Sequence, residues 1–140
     1  MAEPLKADGH EFRSKCSISR TLELLGDKWT LLIVRDLMWH DKHTFQALEG
    51  SAEKIPTNIL ADRLRRLAEW GLVRREQYQD RPARFEYHLT EAGRRLEPTL
   101  IQIMRWGHEH LDGGFNERVA ARPARGIKTS RTRLSGPNGT

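Results

Sequence analysis

Hydrophobic and polar positions change their period between Lys54 and Leu89, dividing that stretch into a helix and two strands. At 100° per residue, Leu60, Leu64, Leu67, Ala68 and Gly71 share one side of a helix, and Asn58, Asp62, Arg65, Arg66 and Glu69 share the other. Pro56 suits the start of this helix and Gly71 its stop. From Leu72 to Tyr78 the period falls to two. Gln79-Asp80-Arg81-Pro82 then reads as a turn, and a second alternating run places Phe85, Tyr87 and Leu89 on one face.

Upstream, residues 1–15 are polar and read as a flexible arm. Ser17 is placed to cap a helix whose Ile18, Thr21, Leu22 and Leu25 share a face, with Gly26 ending it. Asp27 can cap the next helix, which is apolar nearly all round through Trp29, Leu31, Leu32, Ile33, Val34, Leu37 and Met38, and so belongs at the centre of the domain. Thr44 caps a short helix with Phe45 and Leu48 inward. Downstream, Thr90 caps another helix, which Pro98 either kinks or restarts. Leu96, Leu100, Ile103, Met104, Gly107 and Leu111 then form a second apolar stripe, widened by Ile101 and Trp106. A small domain that already has a core needs another partner for such a stripe, which predicts a dimer seam completed by Ile18 and Leu22 of helix one. The competing arrangement folds the stripe back onto its own domain.

The predicted fold is mainly α with a small β-hairpin (α+β): a winged helix-turn-helix, dimeric. Residues 1–15 form the arm and 16–111 the domain with its C-terminal dimerisation helix. Residues 112–140 form a basic tail without periodicity, read as disordered.

Charge sharpens this picture. The chain of 140 residues carries a formal +5, but residues 112–140 hold six basic and two acidic groups, so the rest is nearly neutral. Within residues 54–84 eight Lys or Arg face four Asp or Glu, and the flanking stretches are net acidic. Placing the surplus on the one segment with helix-then-hairpin patterning points to a polyanion, double-stranded DNA, met by helix and hairpin together. On the helix, Thr57, Asn58, Ala61, Asp62 and Arg65 are candidates for base edges: Asn pairs with adenine, Arg with guanine, Asp accepts from cytosine, and an alanine methyl meets thymine's. Asp62 serves equally well as an i,i+4 ion-pair partner of Arg66. Arg63, at the edge of the apolar face, is read as a phosphate contact rather than a structural salt bridge, and Arg66 lies on the same recognition surface. Arg81 and Arg84 flank Pro82 at the wing tip and would reach the backbone or the minor groove. Thr44 and Gln46 would touch the DNA backbone.

The residues also carry a resemblance. Cys16, Gly26-Asp27-Lys28-Trp29, Leu32 with Arg35-Asp36-Leu37, Phe45 with Leu48, and Leu60-Ala61-Asp62-Arg63-Leu64 follow in order. Gly71-Leu72-Val73 with Arg75, Arg81-Pro82-Ala83-Arg84-Phe85-Glu86-Tyr87, Leu89-Thr90-Glu91-Ala92-Gly93, Leu96, Pro98 and Trp106 complete the series. Together they resemble the HxlR-type winged-helix transcriptional regulators of bacteria, relatives of the MarR type. The resemblance implies a homodimer on operator DNA, some members responding to oxidants or electrophiles through the N-terminal cysteine. Ser17 departs from the proline that often follows that cysteine in the family.

Cys16 precedes a helix N-terminus with Arg13, Lys15 and Arg20 nearby, a setting that favours a reactive thiol; the alternative is a small residue filling the seam. A single cysteine excludes an internal disulfide framework and fits a reducing, cytoplasmic setting. No run is long and apolar enough to span a bilayer. His40 with His43, and His108 with His110, lack a third ligand, so no metal and no cofactor is expected. There is no phosphate loop, nucleophile elbow or suitably placed pair of carboxylates, which argues against an enzyme. A winged helix acting as a protein adaptor is the alternative to a DNA-binding regulator. Among the tryptophans, Trp29 is expected inside, Trp70 at a helix end and Trp106 on the seam, with Trp39 bordering a cavity for a small-molecule or oxidant effector.

Overall fold

The computed structural model describes Leu5 and residues 9–116. The tail from residue 117 and most of the first eight residues lie outside the described residues. The elements run α1 (Ser17–Leu25), α2 (Thr30–Trp39), α3 (Phe45–Glu49), α4 (Thr57–Glu69), β1 (Val73–Asp80), β2 (Ala83–Leu89), α5 (Glu91–Arg94) and α6 (Glu97–His110).

α2 is the centre, as its all-round apolarity requires. Ile33, Val34, Leu37 and Trp39 are buried, and around them pack Leu25 of α1, Leu48 of α3, Leu60, Leu64 and Leu67 of α4, Leu72, Val73 and Leu89 at the hairpin base, and Leu100 of α6. Each fully buried leucine of this kind contributes on the order of 1.5–3 kcal/mol. Ala68, expected on the inner face of α4, is exposed. The helix needs only the stripe of three leucines to seat it, and Ala68 falls just beyond its edge.

Helix ends follow local chemistry. Cys16 takes the N-cap position of α1 and Ser17 is the first helical residue, one step on from the expected cap, with no side-chain cap bond. Trp29 takes the N-cap position of α2, two residues on from the expected Asp27, whose carboxylate still accepts from the Trp29 and Thr30 amides and from the Thr30 hydroxyl. Thr44 and Thr90 cap α3 and α5. Gly71 follows the α4 cap at φ +81, a conformation open to glycine, and turns the chain into β1. Pro98 lies in the first turn of α6, so α5 and α6 are separate helices.

The loop from α2 to α4 is held by a buried carboxylate. Asp36 accepts from Arg35 at 2.9 Å and from the Ser51 hydroxyl at 2.5 Å, while Lys42 donates to the same hydroxyl at 2.7 Å. Arg35 completes the knot with a two-pronged pair to Glu53, 2.8 Å on each prong.

The two strands pair antiparallel from Val73↔Leu89 to Asp80↔Ala83, with a register shift between Gln77 and Gln79. Beyond its base β1 is mostly exposed, whereas Phe85, Glu86, Tyr87 and His88 of β2 are half-buried. His43 fastens it to the body: the Tyr87 amide donates to the His43 carbonyl at 2.7 Å, and His43 Nδ1–H returns a bond to the Tyr87 carbonyl at 2.9 Å.

Within the segment read as a flexible arm, residues 9–15 make contacts with the body of the domain. His10 bonds Glu23 at 3.0 Å and sits edge-on to Trp70 at 5.1 Å, and the Arg13 amide donates to Glu23. A polar sequence concealed these anchors because their partners lie on α1 and at the end of α4.

Candidate nucleic-acid interface

α3 and α4 form the helix-turn-helix, and the loop through Ser51 sets α4 with its leucine stripe inward. Asn58, Ala61, Arg65 and Arg66 are left on the exposed side. Thr57 is exposed as well, but its hydroxyl donates to Glu49 at 2.7 Å, tying the start of α4 to the end of α3. Thr44 commits its hydroxyl oxygen to the Ala47 amide, and Gln46 beside it is exposed. Arg81 and Arg84 are exposed around the hairpin tip, where a cis bond joins Arg81 to Pro82. Arg75 is diverted onto the Phe85 ring at 4.1 Å.

Arg63 corrects the expectation of a phosphate contact. Its Nε donates to Asp27 at 2.9 Å and its Nη1 to Asp62 at 2.5 Å, with only 18% of the side chain exposed. The guanidinium therefore pins α4 to the α1–α2 turn. Asp62 takes the ion-pair role weighed for it and extends it: Arg63, Arg65 and Arg66 all converge on it. The hydrogen bond from Arg65 is the largest cause holding the Asp62 carboxyl below its usual range.

The Asp27–Arg63 pair has a measurable consequence. Burial alone would raise the Asp27 carboxyl, but bonds from Thr30, Arg63 and Trp29 outweigh it and hold the group at about 2 against an ordinary 3.8. With its folded value below its unfolded one, the group contributes full stability above about pH 4, and that contribution is lost as pH falls toward 2; the amount is about 2 kcal/mol. Asp27→Asn is expected to flatten the acid limb of a plot of urea midpoint against pH relative to the parent chain.

The apolar stripe of α6 divides. Leu100 is 7% exposed and belongs to the protein's own core, with Leu96, Ile101 and Met104 packed against it, which corrects the assignment of Leu96, Leu100 and Met104 to a seam between subunits. The cause is the contact of α6 with α2, where Trp39 Nε1–H donates to Glu97 at 2.8 Å. Gly107 is half-buried. Ile103, Trp106 and Leu111 face outward, as do Ile18 (71% exposed) and Leu22 of α1. Phe115, 74% exposed and unnoticed in the sequence, extends the apolar surface beyond α6. A cavity of about 470 Å³ opens between α2, α6 and the segment after it, with Trp39, Leu100, Ile103, Met104 and Phe115 among its walls. Trp39 thus borders a cavity as expected, although it is buried and its polar edge turns to Glu97.

Cys16 is exposed at the N-terminus of α1. The histidine pairs weighed for metal are not what the fold collects. Among the described residues the ligand-type groups that meet are Glu76, Glu86 and His88 on the wing. These are already paired: His88 with Glu86 at 3.0 Å, and Glu76 with Arg74 at 2.7 Å.

A helix-turn-helix with an exposed polar face on its second helix, followed by a two-stranded hairpin with arginines at its tip, defines a winged helix-turn-helix protein. More specifically, the chain belongs to the HxlR-like helix-turn-helix family, whose model matches residues 24–114. It is 42% identical over 102 residues to a Mycobacterium tuberculosis protein named as an uncharacterized HTH-type transcriptional regulator, covering 73% of this chain and 63% of that one. The chain thus spans a little under two thirds of that relative's length. It is 34% identical over 109 residues to YdeP of Bacillus subtilis, likewise named as an uncharacterized HTH-type transcriptional regulator, covering 78% and 84%. Among solved structures, the redox regulator HypR in its oxidized form superposes with a TM-score of 0.59 at 34% identity, over 70% of this chain and 100% of that one. The reduced transcriptional regulator YodB of Bacillus subtilis gives 0.58 at 26%, over 72% and 99%. Both curated relatives are named as transcriptional regulators of the helix-turn-helix type. No helix among the described residues is long and apolar enough to cross a membrane.

Proposed function

We propose that the protein binds duplex DNA as a homodimer, in the bacterial cytoplasm, and represses transcription from palindromic operators. The observation that carries this reading is the exposed face of α4, with Asn58, Ala61, Arg65 and Arg66 free of the core, followed in the chain by a hairpin tip bearing exposed Arg81 and Arg84. The helix supplies base-edge contacts in the major groove and the wing supplies backbone contacts. Selection of bound fragments by the purified protein tests it: a two-fold dimer selects inverted half-sites about 10 bp apart, or a multiple of a helical turn. A protein adaptor selects none.

Arg81→Ala is expected to weaken all duplexes alike and to make the slope of log affinity against log salt shallower by about 0.9 for each phosphate that the wing ceases to neutralise. Unchanged binding across a salt titration removes the wing from the interface.

A second reading concerns control. Cys16 is exposed and precedes the outward-facing Ile18 and Leu22, and one similar solved structure is that of a redox regulator in its oxidized form. Two Cys16 thiols, one from each subunit, would lose two electrons and two protons to an oxidant and form one disulfide across the seam. Repeating the selection with diamide, on the parent chain and on Cys16→Ser, tests this: oxidant-dependent binding in both proteins rules the thiol out.

A further inference from the structure

Asp62 holds the arginines of the recognition helix. Its Oδ1 accepts from Arg65 Nη2 at 2.5 Å, and its Oδ2 accepts from Arg63 Nη1 at 2.5 Å and lies 3.0 Å from Arg66 Nε. Glu69 takes the other nitrogen of Arg65 at 3.0 Å. Arg63 is committed to Asp27 on its far side. Arg65 and Arg66, by contrast, have side chains 57% and 51% exposed, so they stand on the surface meant for DNA while already paired within their own helix.

An incoming anion that takes Nη2 of Arg65 or Nε of Arg66 must compete with Asp62 for it. A lone phosphate gains little by the exchange, because it replaces one anionic oxygen with another and brings the backbone's negative charge close to the displaced carboxylate. A guanine edge in register offers paired acceptors without a full charge, together with whatever Asn58 and Ala61 meet one turn earlier. Phosphate attraction is the sequence-independent part of binding, so a carboxylate that competes with phosphate reduces that part more than the base-specific part.

We propose that Asp62 is a specificity-determining residue: an internal counter-anion that occupies Arg65 and Arg66 and suppresses sequence-independent DNA binding until correctly spaced acceptors displace it. This rests on the DNA-binding reading above. The spacing supports it, since the carboxylate reaches Arg65 at i,i+3 and Arg66 at i,i+4 on the one helix that carries the base-reading face.

The test uses the full chain with Asp62→Asn and Glu69→Gln, each melted first to confirm folding. Affinity is measured by fluorescence anisotropy over a salt series, for the tightest duplex recovered by selection and for a scrambled duplex of equal length. Freeing two surface pairs is expected to tighten Asp62→Asn on the scrambled duplex by roughly tenfold, and to tighten the selected duplex by much less, so discrimination falls. The salt slope on the scrambled duplex should steepen by about 0.9. Glu69→Gln, which releases only one side of Arg65, should move the same quantities less. If Asp62→Asn weakens the selected duplex and leaves the scrambled one unchanged, Asp62 contacts a base and the inference is overturned. Unchanged affinity for both duplexes also overturns it. A parent chain that binds neither duplex at any salt concentration refutes the DNA-binding reading instead, and this inference with it.

Discussion

Gly93→Ala is expected to lower stability by about 3 kcal/mol, toward the upper end of what overpacking a tight site costs. Gly93 is buried in α5, where the helix crosses the beginning of the wing. A Cβ there would overlap the Leu72 carbonyl oxygen and come within 2.9 Å of Leu89 Cδ2. The first obstacle is backbone and cannot rotate away. That same carbonyl accepts from the Thr90 amide at 3.0 Å, and the Thr90 hydroxyl donates to the Gly71 carbonyl at 2.7 Å, so moving α5 outward would also break the junction at which hairpin and helix meet. For a domain of this size the loss corresponds to a fall in melting temperature of roughly 12–20 °C. Urea unfolding should show a lower midpoint with an unchanged slope. Gly114→Ala, at a position where an added Cβ meets nothing within 4 Å, should leave the midpoint where it was.

Gly93 also shows where sequence ceases to speak. Elements whose partners are periodic within themselves were legible: α2 as an all-round apolar helix, α4 as a leucine stripe ended by Gly71, and the hairpin as two alternating runs around Arg81-Pro82. The threonine caps were legible too, because capping is local. What stayed hidden depends on residues far apart in the chain. The partner of Arg63 is Asp27, 36 residues earlier, so its inward turn could not be told from an outward one. His10 looked like part of a solvated arm until Glu23 and Trp70 were placed around it. The α6 stripe is continuous in sequence, yet the fold divides it: Leu100 is buried with Met104 packed against the core, while Ile103 and Trp106 stay exposed. At the interface, the exposure of Asn58, Ala61 and Arg65 followed from helical geometry. The gathering of three arginines on Asp62 did not, because i,i+3 and i,i+4 spacing permits several pairings and side-chain geometry chooses among them.

That division of α6 makes a decisive experiment possible. Ile103→Glu is expected to give a folded monomer with operator affinity reduced by at least about a hundredfold. Ile103 is 51% exposed at the rim of the cavity between α2 and α6, so a carboxylate there can turn to water within a single subunit. In a dimer the same position would bury an unpaired charge among Trp106, Leu111 and the partner's Ile18 and Leu22, which apolar neighbours cannot compensate. Operator affinity falls with the dimer because two half-sites bound by one clasped pair gain the effective concentration of the linkage, a factor of about 10² to 10⁴ that independent subunits forgo. Sedimentation gives the mass, and anisotropy on a full operator against a single half-site gives the affinity. The variant should bind the half-site as the parent subunit does and lose only the advantage of the full site. If Ile103→Glu remains a dimer with full-site affinity intact, the apolar face of α1 and α6 is not the seam. If it unfolds, Trp106→Glu, 60% exposed and clear of the core, distinguishes a failed fold from a failed dimer.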